Sequence, residues 1–256
     1  MSRSLDTNHM RYFFRVEYDG TRYGGWQSQT NAPSIQETLA KAFSTVTREP
    51  CAITGAGRTD AGVHARAQAA HIDLCSPIDI RRCELSINAL LPDDIALYHL
   101  QIAPEGFHAR LSPALRRYVY SLSLRKKPLL YKKVWMVFFD VDWDKVQKEA
   151  SCLEGEHDCS AFCAKGSGAK TMTCTIQRAE LSKTADGYSF TIEANRFLYK
   201  MVRTIVGTLV DIGRGRIAES LASIMAAKDR LRAGETAPAC GLVLDYVGYE
   251  KVDRLP

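Results

Sequence analysis

Residues 10–18 are dense in aromatic and β-branched side chains and predict a strand that stops at the turn pair Asp19-Gly20. A glycine-rich loop carrying Trp26 follows. Ser34-Ile35-Gln36-Glu37 has the form of a capping box, so a helix opens there. Ile35, Leu39, Ala42, Phe43 and Val46 give that helix one apolar face, and Pro50 lies beyond its end. Short apolar runs at 51–54 and 66–74 predict strands on either side of a second glycine-rich loop. Residues 79–91 predict a helix ended by Pro92, and 95–102 a further strand.

The same order returns in the second half. Residues 116–124 alternate as a strand does, and 142–153 follow a helical period. Strands are expected at 173–182 and 188–195, joined through the hairpin pair Asp186-Gly187. A helix over 197–212, a shorter one over 218–227 and a last strand over 242–249 complete the pattern. The order β-α-β-β-α-β thus occurs twice, which is the order of the ferredoxin-like split β-α-β unit. The expected class is α+β: two ferredoxin-like, RRM-like halves whose antiparallel sheets join side by side into one extended sheet, with helices on one side. The expected division is a tail over 1–9, an N-terminal half over 10–106 and a C-terminal half over 107–256, meeting near 104–115.

The chain has 256 residues and is 46% apolar, an ordinary globular composition. No run of about 18 apolar residues exists, so no membrane-spanning helix is expected. The start of the chain is polar and lacks the apolar core of a secretion signal. Eight cysteines without paired spacing then read as reduced thiols of a cytoplasmic protein. Cys152, His157, Cys159, Cys163 and Cys174 form the one dense group, but only Cys159 and Cys163 approach the spacing of metal ligands. Buried or idle thiols account for the group better than a structural zinc. The net charge of +5 is modest. Its clustering matters more: Arg116, Arg117, Arg125, Lys126, Lys127, Lys132 and Lys133 form one group, and Arg196, Lys200, Arg203, Arg214 and Arg216 another. Such groups are either solvated faces or contacts for a polyanion such as RNA.

The loop between residues 55 and 65 concentrates the chemistry. Gly55, Gly57 and Gly62 surround Arg58, Asp60 and His64. Neither the dinucleotide nor the P-loop glycine pattern is met, so no nucleotide cofactor is expected. No nucleophile elbow accompanies the histidines. His64 either holds the loop by hydrogen bonding or touches substrate. Asp60 is either a turn aspartate bonded to its own backbone or a reactive carboxylate, which the nearby Arg58 would help keep ionised.

Several stretches carry a resemblance. Gly57-Arg58-Thr59-Asp60-Ala61-Gly62-Val63-His64-Ala65 resembles the signature of the tRNA pseudouridine synthase A family. Tyr18-Asp19-Gly20-Thr21, Gly25-Trp26-Gln27 and Ser34-Ile35-Gln36 resemble the family's opening. Asn88-Ala89-Leu90-Leu91-Pro92, Phe107-His108-Ala109-Arg110 and Arg117-Tyr118-Val119-Tyr120 follow in order. Phe197-Leu198-Tyr199-Lys200-Met201-Val202-Arg203 and Gly241-Leu242-Val243-Leu244 complete the match. One departure is Cys159, where the family usually has an aromatic residue.

The resemblance implies isomerisation of uridine to pseudouridine in the tRNA anticodon arm, at positions 38, 39 and 40, without metal or cofactor. It implies Asp60 as the catalytic carboxylate, Arg58 as its partner and Arg203 as a second basic partner. Tyr118 would stack on the detached uracil or help remove its carbon-5 proton, and Leu244 would wall the pocket. Helical spacing sets Arg196, Lys200, Arg203 and the bare Gly207 on one face. With Arg110 and His64, Arg196 and Lys200 are the further candidates for touching substrate. The target base would be turned out of its stack. The resemblance also implies a homodimer with tRNA lying across both subunits. Two rivals remain at this point: a non-catalytic RNA-binding protein of the same fold, and a metal-dependent nucleic-acid enzyme using the cysteine group.

Overall fold

The computed structural model describes residues 9–250 and Val252. The expected tail, residues 1–9, lies outside the described residues except for His9. The chain forms two compact units. The first comprises residues 1–114 and 247–256, the second Leu115–Tyr246. Both mix helices with mostly antiparallel strands, and five α-helices are present among the described residues.

The first unit holds β1 (Met10–Tyr18), α1 (Ile35–Thr47), β2 (Ile53–Gly55), β3 (His64–Leu74), α2 (Ile80–Leu90) and β4 (Ile95–Ile102). β1 lies between β3 and β4, β2 pairs with β3, and all these pairings are antiparallel. Flanked on both edges, β1 buries Tyr12 to Val16 without alternation. The Ser34 hydroxyl accepts the Glu37 amide and caps α1, which buries Ile35, Leu39, Ala42 and Phe43. Asp79 caps α2 in the same way through the Arg82 amide. The Asn88 side chain bonds both the amide and the carbonyl of Leu97, tying α2 to β4.

The division between units falls at 114/115, not at 106/107. Phe107 packs edge-on against Phe13 with centroids 5.4 Å apart. The Ala109 amide donates to Nδ1 of His71 at 3.1 Å. The chain also returns: the Tyr249 hydroxyl donates to the Ala109 carbonyl at 2.7 Å, and the Arg15 guanidinium to that of Val247 at 3.1 Å. These buried contacts bind residues 107–114 and 247–249 to the first unit.

The second unit holds β5 (Leu115–Ser123), β6 (Trp135–Met136), α3 (Trp143–Ala150), β7 (Gly155–Asp158), β8 (Thr173–Thr184), β9 (Gly187–Ala194), α4 (Met201–Gly213), α5 (Leu221–Ala227) and β10 (Leu242–Gly248), whose last two residues pass back to the first unit. The strand order is β10-β5-β9-β8-β7, and the two-residue β6 pairs with β5 in parallel. Several expectations shift here. Thr184 pairs with Gly187, so the hairpin loop is Ala185-Asp186 and Gly187 already lies in β9. A Cβ on Gly187 would overlap the Leu122 carbonyl. The helix expected over 197–212 begins at Met201. Lys200 sits at its N-cap with φ 58°, the left-handed region that breaks a helix. The helix expected over 142–153 ends at Ala150 and continues as a 3-10 turn to Leu153. No described helix is long and apolar enough to cross a membrane.

Candidate active site

The Asp60 loop joins β2 to β3, and the first unit grips it from several directions. The Trp26 amide donates to the Thr59 carbonyl at 3.1 Å, and the Val63 amide to the Asp60 carbonyl at 3.1 Å. Gly25 has φ 107° and its bare Cα faces the Thr59–Asp60 peptide. Gly55 leaves room for the Trp26 indole: a Cβ there would lie 2.5 Å from the ring. Beneath the loop, Trp26 packs on Tyr18 at 6.2 Å between ring centroids. The Tyr18 and Thr59 hydroxyls share a buried hydrogen bond of 2.8 Å. At the other end of the loop, Gln68 Nε2 donates to the Gly57 carbonyl at 2.9 Å, and the Gln68 Oε1 is buried without a hydrogen-bond partner. The result is a stiff backbone around a half-exposed Asp60, with Thr59 buried before it and Arg58 exposed.

His64 is the first residue of β3, two positions earlier than the strand was expected to begin. Its ring is buried, and Nδ1 accepts the Gly20 amide at 3.1 Å. The Asp19 carboxylate lies 2.9 Å from the same nitrogen. These contacts hold the 19–20 turn against the loop. Arg110 is exposed, and its backbone amide donates to Nδ1 of His108 at 3.1 Å.

The other candidates belong to the second unit. Tyr118 lies on β5, half-buried, with its ring edge-on to Phe197 at 5.1 Å. Tyr120, two positions on, is fully buried and donates to the Pro238 carbonyl. Arg203 is in the first turn of α4. Its Nε donates to the Ala237 carbonyl at 2.8 Å, and the Ala237 amide donates back to the Arg203 carbonyl at 3.0 Å. This exchange fixes the stem of the side chain. Arg196 and Lys200 precede α4, so the helical stripe expected to unite them with Arg203 does not form. Lys200 Nζ lies 5.2 Å from the Tyr199 ring centroid. Gly207 is bare for a packing reason, because segment 234–237 crosses α4 there and a Cβ would overlap the Glu235 carbonyl. Leu244 is buried in β10.

The first basic group is partly matched by carboxylates. Arg125 and Lys127 both pair with Asp186, and Arg117 pairs with Glu193 at 2.7 Å. In the second, Arg214 and Arg216 each approach Asp211 at 3.9 Å. Of the cysteine group, Cys159, Cys163 and Cys174 are buried, whereas Cys152 and His157 are half-buried. The buried Cys159 thiol donates to the His157 carbonyl at 3.7 Å and that of Cys174 to Met201 Sδ at 3.9 Å, and the neighbouring Cys174 together with burial holds the Cys159 thiol far above its usual range. Asp158 is held down near 2 by hydrogen bonds from Ser160 and by Lys228 at 3.0 Å. Among the described residues no three His, Cys, Asp or Glu side chains are placed to hold a metal ion. Gln68 and Tyr18 are the positions whose contact with the loop went unanticipated. The buried, alanine-rich strand around Gln68 hides it, whereas Tyr18 is signalled only by standing at the turn that meets His64.

A family model described as tRNA pseudouridine synthase matches residues 150–250. A tRNA pseudouridine synthase A of Thermoanaerobacter sp. (strain X514) is 42% identical over 237 residues, covering 91% of this chain and 97% of the relative. That of Porphyromonas gingivalis is 39% identical over 245 residues, covering 93% and 97%. That of Bacillus subtilis (strain 168) is 37% identical over 246 residues, covering 94% and 100%. With identity at this level spanning nearly the whole chain, the protein belongs to the tRNA pseudouridine synthase A family.

Proposed function

We propose that this protein converts uridine to pseudouridine at positions 38, 39 and 40 of the tRNA anticodon arm, with Asp60 as its single catalytic carboxylate. The supporting observation is the loop itself: Asp60 stands half-exposed on a backbone held on both sides by hydrogen bonds from Trp26 and Val63. The reaction breaks the bond between uracil N1 and the sugar C1′ and forms one between C5 and C1′. The proton lost from C5 is balanced by one gained at N1. Positive charge develops on the sugar as the first bond breaks, and a carboxylate suits that site. Two routes are open to it: attack at C1′, or removal of the 2′ proton. No metal or organic cofactor is required by either.

Roles for the remaining candidates follow the family resemblance. Arg58 and Arg203 are the basic partners of Asp60. Tyr118 stacks on the detached uracil or assists proton removal at C5, and Leu244 walls the apolar side. The edge-on Phe197 supports this by fixing the Tyr118 ring. Arg110, Arg196, Lys200 and the basic groups contact RNA, so tRNA affinity falls steeply with salt. The target base must be turned outward, at a cost of a few kcal/mol offset by stacking and phosphate contacts. We read the two units as ferredoxin-like halves. The strand orders β4-β1-β3-β2 and β10-β5-β9-β8 support this, since each places the four strands of a β-α-β-β-α-β unit in the split arrangement. We further propose that the enzyme is a cytoplasmic homodimer.

The test incubates unmodified tRNA with the protein, labels pseudouridine chemically and maps the mass shift. Label at 38–40 is the expected result. Asp60→Asn abolishes the label while tRNA binding persists. An Asp60→Asn protein as active as the wild type would remove Asp60 from the mechanism. A protein that binds tRNA but never yields label would favour the non-catalytic rival, and loss of activity on chelation the metal-dependent one.

A further inference from the structure

We propose that Tyr18 is a positioning residue for catalysis, acting on Asp60 through the side chain of Thr59. This rests on the reading of Asp60 given above. Tyr18 ends β1 beside an irregularity in the β1–β3 ladder. Val16 pairs with Gln68 but Tyr18 with Ala65, so β3 carries one extra residue there. Bulges of this kind re-aim side chains and recur next to active sites. Here the Tyr18 hydroxyl reaches Thr59 Oγ1 at 2.8 Å, and both residues are buried.

Two other bonds of the loop act on backbone. Trp26 holds the Thr59 carbonyl and Val63 the Asp60 carbonyl. The Tyr18–Thr59 bond adds an anchor on the side chain, which holds the Thr59 Cβ and through it the position of the Cα and the backbone that leads into Asp60. Because Asp60 directly follows Thr59, a small rotation there moves the carboxylate, and a misplacement of about 1 Å at a reacting group can cost about a hundredfold in rate. Packing alone does not call for this hydroxyl. A phenylalanine ring would rest on Trp26 equally well, and would not bring a polar group into a buried place where it must find a partner.

The experiment is a double-mutant cycle. Tyr18→Phe, Thr59→Val and the pair are compared in single-turnover pseudouridine formation at saturating tRNA, alongside tRNA affinity by filter binding. Each single change is expected to slow the reaction about tenfold to a hundredfold. The double variant is expected to be no slower than the slower single one, with affinity held within about threefold. Thr59→Ser, which keeps the hydroxyl, is expected to retain most of the rate, which a merely structural role for Thr59 does not require. An undiminished rate in Tyr18→Phe overturns the proposal. So do losses that multiply in the double variant, or a Thr59→Ser protein as slow as Thr59→Val. Wild-type protein that makes no pseudouridine, or an Asp60→Asn variant that still does, would instead defeat the reading of the site, and this inference with it.

Discussion

Replacing Gly25 by alanine tests whether the backbone around Asp60 is held as tightly as its contacts indicate. Two costs arise. At φ 107° an L-residue is strained, which is worth about 1–3 kcal/mol. The new Cβ also overlaps the Thr59 carbonyl oxygen and lies 3.1 Å from the Asp60 carbonyl carbon, both backbone atoms that cannot swing aside. Restoring an ordinary carbon–oxygen separation of about 3.3 Å moves the Thr59–Asp60 peptide by about 1 Å. The Trp26–Thr59 hydrogen bond is lost in the process, at about 1 kcal/mol. The expected loss of stability is therefore about 2–4 kcal/mol by urea unfolding. The expected fall in single-turnover rate is about a hundredfold at saturating tRNA, while filter binding gives unchanged tRNA affinity. A Gly25→Ala protein that is destabilised but turns over at the wild-type rate would refute the link between this grip and the chemistry.

Acid sensitivity comes from His71, which burial, then Arg11, pushes down to about 4 from 6.5. Between those values the unfolded chain binds a proton that the folded chain refuses, so stability falls as pH drops from 6.5 towards 4. At about 1.4 kcal/mol per pH unit the full loss is about 3 kcal/mol. Urea midpoints measured across that range should flatten in His71→Gln, and an unchanged slope would exonerate His71. Asp73, held low by Arg11, contributes only below that window. Gly207→Ala places a methyl group into the Glu235 carbonyl on the buried side of α4. Overpacking of this kind costs about 1–3 kcal/mol or more, so the thermal midpoint should drop. A variant as stable as the wild type would show that segment 234–237 yields freely.

Strands 10–18 and 95–102 were legible to the residue, because dense apolar runs end there at turn residues. The starts at Ser34, Asp79 and Asp142 were legible too, since each side-chain oxygen caps its helix by meeting an amide three residues on, whereas the helix expected from 218 begins only at Leu221, behind the cap Ser220. The start of α4 was not. Phe197 and Leu198 keep the helical period while filling space in a turn, and the break at Lys200 lies in a backbone angle that side-chain pattern does not encode. The edge strand β7, Gly155–Asp158, is polar and half-exposed, so no alternation betrays it. At the site, the loop of Asp60 stood out through its glycines and charges. Its supports did not, because Tyr18 and Gln68 reach the loop only after β1 and β3 pair.

The return of the chain to its starting unit has a bearing on biosynthesis. Residues 115–246 are spelled out between two stretches that belong together. On the ribosome, the unit bearing the aspartate must wait for the whole of its insert before Tyr249 can join Phe13 and Phe107. The inserted module is thus complete in the nascent polypeptide before the aromatic cluster of the first unit closes, whereas the loop of Asp60 takes its grip from residues 18–68.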